Sequence, residues 1–353
     1  MKQKVELLTL LVLLALVAAC TGPSASTPQV VRETVIVGGT PQIVEKVVTA
    51  TPPPAVPGAA EKITLDTCIG AEPPSFDPSL ATDTTSHFFI QQMFVGLTDF
   101  NDKAEVAPML ATEWKNSADG LTWTFKLRND IPWVKYNTTS GLVEQIVDKD
   151  KKPIIVNAKD VEYSVKRTLN PRTASSYAFF LYLLKGAEAY NSADLKTVSA
   201  DNLKKLEDAV GVKAVDDTTL EFTLVNPTGF FPAIAAMWPV MPQNAAAIKQ
   251  WGEQRWTEAG YIVTNGPYTL KEWTHQAKVA IVKNPFWPDA KNVQIEVVQG
   301  PIVQSESTCM QMYEKGEIDF MAQPGWTVPL PDMDRVKKDA KLSKELYIAP
   351  RLC

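Results

Sequence analysis

The 353 residues carry 35 Lys and Arg against 40 Asp and Glu, a formal net charge of −5 at pH 7. That balance argues against a nucleic-acid binder, which displays a basic patch. With 45% apolar and 21% charged residues the composition is that of soluble globular protein, and the length allows two or three domains.

The chain opens on a targeting segment. Lys2 and Lys4 precede an apolar run, Leu7 to Val17, too short to span a bilayer as a mature helix. The run ends in Val17-Ala18-Ala19-Cys20, which resembles a bacterial lipobox. Residues 1–19 are therefore read as a signal peptide. Cys20 is read as the lipidated residue, whose acyl chains anchor the protein to a membrane. An ordinary secretory signal with a chance cysteine is the alternative. From 20 to 60 the chain is rich in Thr, Pro, Val, Ser and Gly, and TPPPAVPGAA closes it as a polyproline-like spacer. This stretch reads as a linker, with an edge hairpin at Thr34–Val37 and Gln42–Val48 as the alternative.

The folded part is expected from Glu61. Ile63, Leu65 and Thr67 alternate with polar residues as a strand, and the three prolines of Glu72–Pro78 stiffen a loop. Ser86 to Val95 reads as a helix. Asp119-Gly120 is a tight-turn signal. The strand that follows puts Leu121, Trp123, Phe125 and Leu127 on one face and Thr122, Thr124, Lys126 and Arg128 on the other. Trp114 is expected to join it in one antiparallel unit. Tyr136–Val156 reads as an exposed, hairpin-like excursion. Asn157 caps a helix carrying Val161, Val165 and Leu169. Leu220, Phe222 and Leu224 mark another strand, and Gln243 to Gly252 a short helix. Tyr268–Trp273 and Val279–Val282 are strands, and Ser305 to Lys315 is a helix stopped by Gly316. Glu317–Phe320 and Leu346–Ile348 read as further strands. Strands alternating with helices give a mixed α/β fold class.

Little chemistry is encoded by motif. There is no GxGxxG after a strand, no GxxxxGK[ST], no HExxH and no GxSxG. The two histidines, His87 and His275, are isolated, so no metal site, catalytic group or cofactor is expected. Cys68, Cys309 and Cys353 show no CxxC spacing. Cys68 and Cys309 are read as buried thiols, and Cys353 as able to pair with a cysteine beyond the present end.

Ten landmarks in order carry a resemblance. They are EPPSFDP (72–78), FVGL (94–97), PMLATEW (108–114), DGLTWTFKLR (119–128), NAKDVEYSVKR (157–167), NPRTASSYAFFL (170–181), GVKAVDDTTLEFTL (211–224), TNGPYTLKEW (264–273), KNPFW (283–287) and YEKGEID (313–319). Together they resemble the family 5 extracellular solute-binding proteins of ABC importers, the oligopeptide- and dipeptide-binding group. The closing IAPRLC is similar to the oligopeptide-binding branch.

The resemblance implies a periplasmic-binding-protein-like fold, two lobes hinged around a buried peptide. It places 61–94 plus 245–353 in a discontinuous first lobe and 95–244 in an inserted β-rich subdomain. The second lobe would begin about where this chain ends, so the chain alone is expected to bind peptide weakly. The resemblance also implies three ligand contacts: Tyr177 in SSYAFFL, Gln323 four residues after Asp319, and Arg351 before Leu352-Cys353. Thr82 stands where the family places an acidic residue, so a charge contact is lost there. The excursion at Tyr136–Val156 departs from the family pattern.

The function so implied is a lipid-anchored, monomeric, extracytoplasmic receptor. It would capture oligopeptides and deliver them to ABC permease subunits. A receptor of the same fold for a nickel chelate or an oligosaccharide is the alternative. A hydrolase or a structural lipoprotein belongs to different classes, and two histidines argue against the former.

Overall fold

The computed structural model describes the backbone of 29–37 and 40–48, and 63–322 and 324–348 in full. Two compact units are present, Met1–Glu61 and Lys62–Cys353. In the first, β1 (Gln29–Val37) and β2 (Thr40–Val48) form an antiparallel hairpin running from Gln29 opposite Val48 to Val37 opposite Thr40. The tether read from composition thus contains two nine-residue strands. Valines and isoleucines interspersed among the polar residues supply the β propensity that composition masked.

In the second unit the first strands are β3 (Thr64–Asp66), β4 (Thr98–Phe100), β5 (Val106–Pro108), β6 (Ala111–Asn116) and β7 (Thr122–Leu127). Next come β8 (Val134–Asn137), β9 (Leu142–Gln145), β10 (Val212–Asp216) and β11 (Thr219–Thr223). The last are β12 (Tyr268–Thr274), β13 (Lys278–Lys283) and β14 (Val297–Pro301). One four-stranded sheet has the order β10-β11-β7-β6 and the other β12-β13-β14-β3; β4-β5 and β8-β9 are two-stranded.

The alternating strand is β7, at the interior of its sheet. Trp123, Phe125 and Leu127 are buried, and Trp114 of β6 lies opposite Phe125. Phe125 meets Phe222 of β11 at a centroid distance of 5.7 Å, edge to face, and Phe222 meets Phe231 at 4.9 Å. Such pairs add about 0.5–1.5 kcal/mol beyond area burial. Gly120 takes φ +72° in the turn before β7, as the Asp-Gly signal requires.

The helix Ala158–Leu169 starts with a full capping box. The Asn157 side chain accepts from the Lys159 amide at 2.9 Å, and Asp160 accepts from the Asn157 amide at 3.0 Å. Its inner face buries Val161, Val165 and Leu169. The helix Glu306–Lys315 ends at Gly316 with φ +73°. The excursion after Trp133 is the β8–β9 hairpin and its extension, exposed over most of its length but held to the core through Trp133 and Val134.

The second sheet joins distant sequence. β3 lies parallel to β14, with Leu65 opposite Val298, while β12, β13 and β14 are antiparallel. A Cβ on Gly300 would sit 1.6 Å from the Thr67 carbonyl oxygen, so only glycine lets these two segments approach.

Three readings need correction. Cys68 and Cys309 are not free thiols: they form a disulfide with Cα atoms 6.2 Å apart across 241 residues. Glu317–Phe320 is no strand; a single parallel bridge joins Phe320 to Thr67. Leu346–Ile348 is no strand either, and Tyr347 and Ile348 are exposed. Apolar and β-branched content is insufficient where no neighbouring strand is available to pair.

A candidate ligand-binding face

Tyr177 begins a short turn of 3-10 helix, Ala178–Leu181, in which Ala178 and Leu181 point into the core. That anchoring forces Phe179 outward, 53% exposed, with Tyr177 and Phe180 half-buried beside it. Phe179 and Phe180 stack at 4.3 Å, and the Tyr177 ring lies edge-on to both, at 6.0 and 5.2 Å. The Tyr177 hydroxyl donates to the Thr82 carbonyl oxygen at 3.2 Å.

Trp238 extends this shelf. Its ring centroid is 5.5 Å from that of Tyr177 and 4.2 Å from that of His87. Its indole N–H donates to the Ala81 carbonyl oxygen at 2.8 Å. Burial pushes the His87 imidazole below its ordinary range, a displacement that Asp83 partly opposes, so the ring is neutral at pH 7. Asp83 is extended, φ −118° and ψ 159°, and caps the helix Thr84–Met93 through the Ser86 amide at 2.8 Å. The result is an aromatic surface beside the exposed residue Thr82 and the extended Asp83, with the Ala81 and Thr82 carbonyls held by Trp238 and Tyr177. Rings of this kind take apolar or aromatic side chains, and extended main chain takes strand-like hydrogen bonds.

A buried polar network sets the position of this segment. Two N–H groups of Arg167 donate to the two Asp77 carboxylate oxygens at 2.9 and 2.6 Å. Arg167 also donates to Gln243 Oε1 at 2.6 Å and pairs with Glu253. Gln243 donates in turn to Ser79 Oγ at 2.8 Å, and Ser79 Oγ lies 2.8 Å from Thr168 Oγ1. Desolvation works against the Arg167 charge, but Asp77 and Glu253 more than offset it. Asp77 and Ser79 thus fasten the turn that leads to Ala81 and Thr82 onto the helix Ala158–Leu169.

Of the sequence-based candidates, Tyr177 lies on the shelf and touches Thr82, the position where an acidic residue was missed. Gln323, Arg351 and Cys20 fall outside the described residues, as do Cys353 and the signal segment. Sequence reasoning did not single out Trp238, and it read His87 only as an isolated histidine. Trp238 lies in the aromatic, proline-broken stretch Gly229–Pro242. No group of three or more His, Cys, Asp or Glu able to hold a metal occurs among the described residues. No described helix is long and apolar enough to cross a membrane.

Known proteins match this chain in sequence and fold. The profile of the Bacterial extracellular solute-binding proteins, family 5 Middle, matches residues 105–352. The oligopeptide-binding protein OppA of Bacillus subtilis is 33% identical over 288 residues, covering 80% of this chain and 47% of that protein. The periplasmic OppA of Escherichia coli is 34% identical over 301 residues, covering 85% and 49%. The solved structure of the Escherichia coli murein tripeptide binding protein MppA superposes with TM-score 0.65 at 29% identity, covering 80% of this chain and 49% of that one. The chain therefore spans about half the length of the relatives it matches. Its profile match, its mixed α/β fold and its ordered landmarks place it among the family 5 extracellular solute-binding proteins, a family of binding proteins rather than of enzymes.

Proposed function

We propose that the chain belongs to a lipid-anchored, extracytoplasmic receptor that captures oligopeptides and delivers them to the permease subunits of an ABC importer. The observation that carries the reading is the aromatic shelf of Tyr177, Phe179, Phe180 and Trp238 beside the exposed residue Thr82, in a chain whose relatives are named for binding oligopeptides. A peptide's main chain is common to all sequences, so strand-like bonding accepts many ligands, and water-bridged contacts tolerate varied side chains. The Cys68–Cys309 disulfide supports an oxidising compartment. Within this reading Tyr177, Gln323 and Arg351 contact peptide, Cys20 carries the lipid, and the protein acts as a monomer. Residues 61–94 plus 245–353 form one lobe, and 95–244 is an inserted subdomain.

One relative favours a second reading, a non-peptide solute. A probable deoxycholate-binding periplasmic protein of Escherichia coli is 28% identical over 283 residues. Calorimetry of the chain against an oligopeptide mixture, nickel chelates, oligosaccharides and deoxycholate separates the two. Heat with peptides that falls at least tenfold in affinity in Tyr177→Ala supports the first reading. Silence toward peptides with heat from another class replaces it.

A further inference from the structure

We propose that His275 is a pH-sensitive latch that ties the β12–β13 turn to the loop carrying Glu72 and Asp77. The geometry points to a cationic ring. Nδ1 of His275 lies 2.8 Å from Glu72 Oε1, and Nε2 lies 3.3 Å from Glu258 Oε2. A neutral imidazole has one donor and one acceptor nitrogen. Placed here, it would turn a lone pair toward one of the two carboxylates. The imidazolium donates to both.

Among the described residues, the groups paired with the ring within 4.0 Å are both carboxylates. Glu72 comes from the loop after β3, and Glu258 from the segment after the helix Ala245–Trp251. On the hairpin itself, Lys278 and Glu272 are paired with each other at 3.2 Å. The hydrogen bond that His275 donates to Glu72 leads the effects that raise the His275 pKa above its ordinary value, with Glu258 adding to it and burial opposing. A group whose pKa is raised by folding stabilises the fold fully below its unfolded pKa. That contribution is lost as pH rises through the folded pKa. The latch is therefore fully shut in acidic solution, below the unfolded pKa, and weakens as pH rises through the raised folded pKa.

Glu72 is the hinge of the device. Besides His275 it accepts the Trp273 indole N–H at 2.9 Å and the Gln276 amide at 2.8 Å. Gln276 sits at φ +59°, a region disfavoured for side-chain-bearing residues, so the turn has strain to release. Trp273 packs on the His275 ring at 4.3 Å and on Phe76 at 4.3 Å. Phe76 precedes Asp77, the partner of Arg167, and the chain then runs to Ala81 and Thr82 at the aromatic shelf. Opening at His275 thus loosens the segment on which that shelf is built, whatever ligand the shelf takes.

The sequence has 2 histidines, so proton NMR of the intact chain shows two imidazole titrations, assigned by His275→Gln. The His275 signal is expected to titrate at higher pH in the native protein than in urea, and at lower pH in Glu258→Gln than in wild type. Hydrogen exchange adds a structural readout. Below the His275 midpoint the amides of 70–77 should exchange several-fold more slowly in wild type than in His275→Gln; above it the two proteins should match. A native His275 titrating at or below its unfolded position overturns the latch. So do loops that exchange alike in the two proteins at every pH.

Discussion

Replacing Asp77 by alanine is expected to cost about 3–5 kcal/mol of unfolding free energy, measured by urea denaturation at pH 7. The side chains of Asp77 and Arg167 are 1% and 4% exposed. Removing the carboxylate leaves a guanidinium buried with Gln243 and the far more exposed Glu253 as its remaining polar partners. It cannot shed the charge, because arginine does not deprotonate in proteins. Two comparisons keep this result interpretable. Glu253, whose side chain is 60% exposed, should cost about 1 kcal/mol or less when replaced by glutamine. The double variant Asp77→Leu with Arg167→Met removes both charges together and should be more stable than Asp77→Ala. If Asp77→Ala and Glu253→Gln lose equal stability, the clamp is not the anchor described here.

The second large effect is expected from the disulfide. Cys68 and Cys309 are 1% and 0% exposed and sit in a small cluster with Ile318, Met312, Tyr313 and Trp326. The bond ties the end of β3 to the helix Glu306–Lys315 across 241 residues. Typical disulfides contribute about 2–4 kcal/mol, chiefly by restricting the unfolded chain. Cys68→Ala with Cys309→Ala should lower stability by that amount, seen as a fall in the urea midpoint together with a steeper slope, because the unlinked unfolded chain exposes more surface. Alkylation in denaturant without reductant should leave both cysteines of the wild type unlabelled. Labelling of both would show that the bond does not form.

What the sequence made legible follows the range of the interactions. β7 was readable because period-two alternation is local, and the helix Ala158–Leu169 because its capping box lies within four residues. The Asp119-Gly120 turn was readable for the same reason. β14 was not, since Val-Val-Gln-Gly-Pro is short and its parallel partner β3 lies more than 200 residues away. The Cys68–Cys309 pairing has no spacing signature at that separation. At the candidate face, Tyr177 was singled out through its family landmark, and the structure puts its hydroxyl on the Thr82 carbonyl. Trp238 and His87 reach that face only because the helix Thr84–Met93 and the Trp238 turn converge on Ala81. The clamp was half visible: Asp77 and Arg167 each lie in a quoted landmark, but nothing local pairs them.

The central claim is that the shelf at Thr82, Tyr177 and Trp238 is where peptide is held. It is tested most directly by titrating the isotope-labelled chain with an oligopeptide mixture and mapping the NMR perturbations. The account predicts shifts centred on Thr82, Tyr177, Phe179 and the Trp238 indole, lost in Tyr177→Ala while the rest of the spectrum stands. Shifts confined to some other surface, or none at millimolar peptide, would contradict it.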